Sequence, residues 1–521
     1  MYGLTRKIPA NRYYALVVAV LVLVAILYLG RLGLDRNLGF PLDDGWIHQT
    51  YARNLVRYRQ FAYIPGRPSA GSTAPLWTIL VAPAYLLGVD PLAWSYISGL
   101  LLFFLLGLGV FRLGVCLFPD RPGWAALASL AVLLDWHLAW AAFSGMETVL
   151  FACGVVWLLE RYMTWEISQT EERQGERQLL HTPFVLGILS GALVLVRPEG
   201  LLPVALLAIA GILVRRRRLL RRSLSIAMDG AAGMALSLIP YVVFNLLIGG
   251  SFFPNTFRAK QAEYAVLLQL PLWVRFWHVL KPTLVGAQVV LLPGVACALF
   301  CLLRPCQALP VNPRLTRYTR LVPFLWWMLT WLVYAIRLPV NYQHGRYLMP
   351  ILPILTLYGV IGTLAWLRPR SPRLLIRVVS RAVPWIVLLL LAGFLLLGAR
   401  AFAHDVGVIN GEMVTVAHWL NANTSPDAVV AAHDIGAIGY HTRRPLLDLA
   451  GLVTPEIVPF IRDESRLLEF MLERQANYLV TFPSWYPEMV ADERLKLEYQ
   501  TGCARTREQG GENMAVYKLL P

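Results

Sequence analysis

The chain has 521 residues, of which 57% are hydrophobic and 15% charged, with a mean hydropathy of +0.55 and a formal net charge of +16. So apolar a composition excludes a soluble globular domain of this length and places the chain among polytopic α-helical membrane proteins. The basic excess sits in short loops between apolar runs, where it sets orientation; no nucleic-acid recognition motif accompanies it, and nucleic acid is excluded as a partner.

The first apolar run, about residues 13–32, follows Arg6, Lys7 and Arg12 and lacks a small-residue cleavage site, so it reads as an uncleaved first helix. Three arginine clusters then fix the topology: Arg215, Arg216, Arg217, Arg218, Arg221 and Arg222; Arg304, Arg314, Arg317 and Arg320; Arg368, Arg370, Arg373, Arg377 and Arg381. The positive-inside rule puts all three in the cytoplasm with the N-terminus. Further crossings follow near 95–116, 122–137, 146–164, 183–197, 200–214, 225–248, 283–303, 320–337, 348–367 and 383–400. This makes about eleven spanning helices in a plasma-membrane protein. Residues 75–88 are apolar but short, and read as re-entrant or surface-lying. The outer face receives about 33–94, 138–145, the turn at Arg197, about 249–282, and 338–347.

Residues 401–521 are less apolar. Val429–Ala432, Leu446-Leu447, Tyr478–Phe482 and Ala515–Leu520 read as strands, with helices at 411–422 and 463–474. The fold class is therefore an all-α polytopic membrane domain over 1–400, followed by a small extracytoplasmic α/β domain over 401–521. Six cysteines are scattered without a CxxC pair, so they support no zinc or redox framework.

Adjacent Asp43 and Asp44 just beyond the first span are the leading candidates for chemistry. Two acids there need a wet or protein-lined site. The bland alternative is capping of the helix that follows, in which Ile47, Tyr51, Leu55 and Tyr58 share a face suited to the membrane interface. Glu147, next to Ser144 at the start of a span, fits capping or catalysis. Arg197 and Glu199 flank a turn between two spans and fit a structural or a functional role. Arg258 and Lys260 follow one span, and His344 and Arg346 precede another. Outer-face cations of this kind can hold a phosphate, arginine as a bidentate fork. In the tail, His433, Asp434 and His441 read as turn and surface residues, and Gly436 and Gly439 as turn glycines.

The ordered set of motifs resembles membrane glycosyltransferases of the GT-C fold, most closely the actinobacterial terminal β-(1→2)-arabinofuranosyltransferases of cell-wall arabinan. The resemblance rests on Asp43-Asp44, Tyr51–Leu55, Gly71–Trp77, Gly145–Thr148, Arg197–Gly200, Phe253–Thr256, His344–Tyr347, His433–Tyr440 and Asp448–Leu452. It implies inverting transfer of a sugar, arabinofuranose by analogy, from a polyprenyl-phosphate donor to an extracytoplasmic glycan acceptor. It makes Asp43 or Asp44 the base and gives the donor phosphate to Arg258, Lys260, His344 and Arg346. It assigns glycan binding to the domain over 401–521. His48, Trp77, Glu147, Arg197 and Glu199 have supporting places. Some such enzymes use a divalent metal near the acid pair, and Asp43 and Asp44 could bind Mg²⁺ or Mn²⁺. The alternative is a transporter or flippase of lipid-linked sugars; ionisable residues that avoid span centres and the lack of an obvious repeat speak against it. A topology reporter fused after Arg400 should read as extracytoplasmic, and a cytoplasmic reading would overturn the span assignment.

Overall fold

The computed structural model describes residues 10–34, 37–169, 176–215, 220–304 and 306–520. Arg6 and Lys7, and the side chains of the cluster Arg215–Arg218, Arg221 and Arg222, lie outside the described residues. The helices of the first part are α1 (Ala10–Leu34), α2 (Asp43–Tyr58), α3 (Pro75–Val81), α4 (Pro83–Leu87), α5 (Pro91–Leu117), α6 (Pro122–Leu133), α7 (Trp136–Ala142), α8 (Thr148–Ser168), α9 (Glu176–Val196), α10 (Leu201–Arg215) and α11 (Leu220–Gly249). They continue with α12 (Asn255–Glu263), α13 (Leu272–Thr283), α14 (Gln288–Leu303), α15 (Arg317–Arg337), α16 (Leu352–Trp366) and α17 (Leu374–Ile409).

Each expected crossing overlaps a helix, but the one at 122–137 is broken between α6 and α7 and the one at 283–303 starts in the bend before α14. Among the described residues, six helices are long and apolar enough to cross a membrane, or eight if each of two bent pairs counts as one span. The bent pairs are α6 with α7, at 60°, and α13 with α14, at 106°. The chain is a multi-pass membrane protein. Residues 75–88 form two short helices broken at Pro83, far short of the roughly 20 residues a crossing needs.

Small residues set the tightest helix contacts, as expected where lipid supplies no hydrophobic drive between helices. A Cβ on Gly362 of α16 would lie 1.9 Å from the carbonyl oxygen of Gly294 in α14, so these two backbones touch only because both positions are glycine.

The spanning segment predicted to end at residue 400 continues as one helix to Ile409. At about 1.5 Å per residue its 36 residues reach about 54 Å, well past the hydrocarbon core. Helix α17 then passes through a π-turn (Asn410–Val414) into α18 (Thr415–Asn423), so the C-terminal α/β part, the expected outer domain, grows directly out of a long apolar helix. Glu412 in that turn is fully buried, and it accepts hydrogen bonds from Thr501, Thr506, Asn513 and the Met514 amide. These contacts pin the outer domain to the helix end.

The outer domain holds β1 (Val430–Ala432), α19 (Gly436–His441), β2 (Leu446–Asp448), α20 (Glu464–Glu473), β3 (Tyr478–Thr481), β4 (Leu495–Gln500) and β5 (Ala515–Leu519). The sheet order is β2-β1-β3-β5-β4. β1 pairs in parallel with both β2 and β3, whereas β5 is antiparallel to β3 and β4. Sequence reading missed β4, an edge strand whose Lys496, Glu498 and Gln500 are exposed. So polar an edge lacks the apolar signal used to find strands.

Helix α2 departs from its expected place at the membrane interface. Tyr51 is fully buried, donates or accepts a hydrogen bond with Ser69 at 2.7 Å, and packs on Phe61 and Tyr63. The helix is covered by protein, with α19 docked on it from the outer domain. Of the four residues expected on the interfacial face, only Tyr58, at the end of the helix, is exposed.

Candidate active site

The two adjacent aspartates sit in the first turn of α2, where the helix dipole favours negative charge. Neither caps this helix, whose N-cap is Leu42 without a side-chain bond. Successive helical residues point about 100° apart, so the pair serves two directions. Both Asp43 oxygens accept backbone amides from the start of α19: Gly436 at 2.6 Å and Ala437 at 2.7 Å. Asp43 thereby fastens the outer domain to the first loop. Gly436 permits the approach, since a Cβ there would lie 1.9 Å from the Asp43 carbonyl oxygen, and Tyr63 closes the same junction by donating to the Ile435 carbonyl.

Asp44 turns instead to the cations. Its Oδ2 accepts from Arg346 Nη2 and lies 3.4 Å from Lys260 Nζ. Tyr347 Oη is 3.1 Å from Lys260 Nζ and 3.2 Å from Arg346 Nη2. Burial would raise the Asp44 pKa, but the Lys260 and Arg346 charges outweigh it and hold the carboxyl well below the usual range. Burial likewise opposes the Lys260 charge, and Asp44 overcomes it, raising the ammonium pKa. Arg346 follows three residues with left-handed backbone, Gln343 (φ 52°), His344 (φ 58°) and Gly345 (φ 71°). This strained turn directs its side chain inward. The guanidinium is only 4% exposed, and its Nε and Nη1 have no hydrogen-bond partner among the described residues.

A second polar network adjoins this cluster. Glu147 stands 3.4 Å from His48 Nε2 and 3.3 Å from Arg197 Nε, all three buried. Its carboxylate therefore makes ion pairs and does not cap α8. Tyr334 donates to Glu199.

Two cavities meet at the Asp44 cluster. One, of about 390 Å³, is lined by the His48–Glu147–Arg197 group, Tyr334 and the apolar side chains of Val333, Leu338 and Phe257. The other, of about 720 Å³, is lined by Asp43, Glu263, Tyr264, Tyr342 and the outer-domain residues His433, Asp434, Trp485 and Tyr486. Asp44, Lys260 and Arg346 border both.

Three expected residues lie elsewhere. Arg258 is exposed and lines neither cavity; two positions from Lys260 on α12, it points about 200° away. His344 pairs with Asp405 of α17 at 2.8 Å and lies edge-on to Trp136 and Trp140, so it braces the turn before Arg346 and not the cluster itself. Trp77 is buried and donates to the Gly145 carbonyl at 2.8 Å, tying α3 to the turn before α8. Conversely, His433 and Asp434 are cavity residues and not surface turns. His433 Nδ1 lies 2.7 Å from Tyr486 Oη, and its Nε2 lies 3.4 Å from Glu263. Burial opposes the imidazolium, but Glu263 and Asp434 raise its pKa. A pair of strand-end residues such as His433-Asp434 gives no periodic signal, which is why sequence reading placed them in a surface turn.

The first-loop pair does not fit a divalent cation. The Asp43 oxygens are taken by amides, an ammonium and a guanidinium share the Asp44 oxygen, and no group of three or more His, Cys, Asp or Glu suited to a metal occurs among the described residues.

The fold has known counterparts. ArnT from Cupriavidus metallidurans, solved bound to undecaprenyl phosphate, superposes with a TM-score of 0.58 over 98% of each chain at 16% identity. The archaeal oligosaccharyltransferase AglB from Archaeoglobus fulgidus, in complex with an inhibitory peptide and a dolichol-phosphate, gives 0.60 over 90% of this chain and 69% of its own at 14% identity. The fold is GT-C. Arabinofuranosyltransferase AftD from Mycobacteria matches with 0.50 over 99% of this chain but 42% of its own, at 13% identity. A family profile described as a domain of unknown function (DUF8728) matches residues 400–517. No curated protein sequence matches the chain.

The Asp43 clamp predicts a stability effect. Gly436→Ala should lower the thermal unfolding temperature of the purified protein in detergent, by an amount corresponding to about 1–3 kcal/mol. Gly502→Ala, at an open position, should leave it unchanged. Equal melting of the two variants would refute the clamp.

Proposed function

We propose that this GT-C chain is an integral-membrane glycosyltransferase that moves a sugar from a polyprenyl-phosphate donor to an acceptor hydroxyl on the extracytoplasmic side. The observation that carries the reading is the buried Arg346, whose Nε and Nη1 are unpartnered at the junction of two cavities, with Lys260 beside it. Buried donors without acceptors are costly, and a phosphate supplies the acceptors. The smaller cavity, with apolar Val333, Leu338 and Phe257 leading to these cations, suits the phosphate end of an isoprenoid chain. The lipid phosphates present in the ArnT and AglB structures support the same donor class.

In this reading Asp44 keeps the two cations charged and correctly placed until the phosphate arrives. The phosphate then shares them, and as the glycosidic bond breaks they stabilise the charge that develops on the departing polyprenyl phosphate. The His48–Glu147–Arg197 network lines the donor cavity and holds its polar wall rigid. The acceptor enters from the other cavity and attacks in line, inverting the anomeric centre. Arabinofuranose is the analogy offered by the sequence likeness, and a hexose fits the same residues.

The test is incubation of the purified protein with a panel of polyprenyl-phosphate sugars and octyl glycosides, with donor consumption and glycoside elongation both followed. Consumption of one donor with matching elongation is expected. Transbilayer movement of the lipids in vesicles without any consumption would establish a flippase instead. Arg346→Ala should weaken undecaprenyl phosphate binding by about tenfold or more, the order expected for losing one charge-assisted contact. Arg258→Ala should leave it within about twofold, as expected of a surface side chain. Equal affinities for the wild type and Arg346→Ala would remove the phosphate site.

A further inference from the structure

In the outer sheet, β1 lies between β2 and β3 and runs parallel to both. The chain leaves the carboxyl end of β1 toward β2 on one side, and later returns to form β3 on the other. In open α/β sheets the crevice outside such a reversal, at the carboxyl ends of the strands, is where ligands bind. Here His433 and Asp434 follow β1, and Trp485 and Tyr486 follow β3. All four line the 720 Å³ cavity, which Asp44, Lys260 and Arg346 also line.

The cavity wall has the makings of a sugar site. Trp485 is 46% exposed, with His433 edge-on to its ring at 5.0 Å and Phe482 tilted against it at 5.0 Å. Tyr264 and Tyr342 stand together at 5.5 Å on the facing wall. Aromatic faces with polar rims suit the apolar face and hydroxyl edge of a sugar ring. Among the described residues, Asp434 has no hydrogen-bond or ion-pair partner, unlike Asp43 and Asp44.

We propose that the acceptor is a glycan that docks at this crossover point of the outer sheet, with Trp485 against a sugar face, and that Asp434 is the base which takes the proton of the attacking hydroxyl. The assignment rests on the transferase reading above. The acceptor oxygen forms a bond to the donor's anomeric carbon as that carbon's bond to the phosphate oxygen breaks. The bonding pair leaves with the polyprenyl phosphate, and the hydroxyl proton passes to Asp434.

Protonation chemistry agrees with the geometry. Burial lifts the Asp434 pKa, His433 opposes the rise, and Asp44 and Glu263 add to it against Lys260, giving about 6. Asp43 also faces it from α2. A base of this pKa is ionised at neutral pH yet still accepts a proton usefully, whereas the depressed pKa of Asp44 makes it a poor acceptor.

The test uses the full chain in nanodiscs, the donor selected by the panel, and octyl glycosides as acceptor probes. Wild-type kcat should fall as pH drops through about 6, because Asp434 must be ionised. Asp434→Asn should lose about 10²-fold or more in kcat and lose that acid limb, with undecaprenyl phosphate affinity unchanged. Asp434→Glu should recover part of the rate together with the limb. Trp485→Ala should raise the acceptor KM and spare kcat. If Asp434→Asn keeps kcat within about threefold of wild type, or loses donor affinity in proportion to rate, the base assignment is overturned while the transferase stands. If the wild type consumes no donor, both fall together.

Discussion

The site depends on the matching of buried charge around Asp44. A carboxylate, an ammonium and a guanidinium taken out of water are each expensive alone, and become tolerable only when brought together. Residues 44, 260 and 346 come from the first loop, from α12 and from the turn before α16, so satisfying one another fixes three distant segments at a single point. The neighbouring Asp43 extends the arrangement by binding the amides at the start of α19. One dipeptide on one helical turn thus joins the membrane helices to the outer domain and places a cationic cluster at the seam.

That seam separates two chemically different spaces. The smaller one offers apolar side chains leading to positive charge; the larger offers aromatic rings, carboxylates and an imidazole from the outer domain. A reaction between a lipid-borne phosphate and a hydrophilic hydroxyl needs such a division, because no single solvent suits both partners. The packing of α19 on α2 leaves Asp44 and Lys260 half-buried and Arg346 buried, and the electrostatics of the cluster are stronger there than in bulk water. The left-handed turn at Gln343–Gly345 stores backbone strain next to Arg346, braced by the His344–Asp405 pair, as is common where a side chain must be held in one direction.

Much of the architecture was legible in the chain. Apolar runs located the apolar helices, although of about eleven expected crossings only six to eight are long and apolar enough to span among the described residues, and short apolar runs located four of the five C-terminal strands. Asp43, Asp44, Lys260, Arg346, Glu147, Arg197 and Glu199 were singled out by residue type at expected outer-face positions, and each borders at least one of the two cavities. Arg258 and His344 were singled out by the same criterion and lie elsewhere. Helical phase separates Arg258 from Lys260, and a turn in left-handed conformation sends His344 to Asp405. His433 and Asp434 read as turn and surface residues because a loop after a short strand carries no pattern, although it occupies the topological crossover of the sheet and lines the larger cavity.

Sequence by itself determined the class of the protein: apolar helices, a less apolar C-terminal α/β part, and acids and cations gathered between the apolar runs. These follow from one-dimensional quantities such as hydropathy, periodicity and charge, which local physics reads directly. Only the tertiary structure decided the contacts. It turned Asp43 into a fastening and Asp44 into a counter-ion, left Arg258 in solvent, and brought Asp434 across from the far end of the chain. Those assignments depend on which side chains face each other after hundreds of intervening residues have packed, and contact between distant segments is set by the packing of whole helices and not by any local pattern.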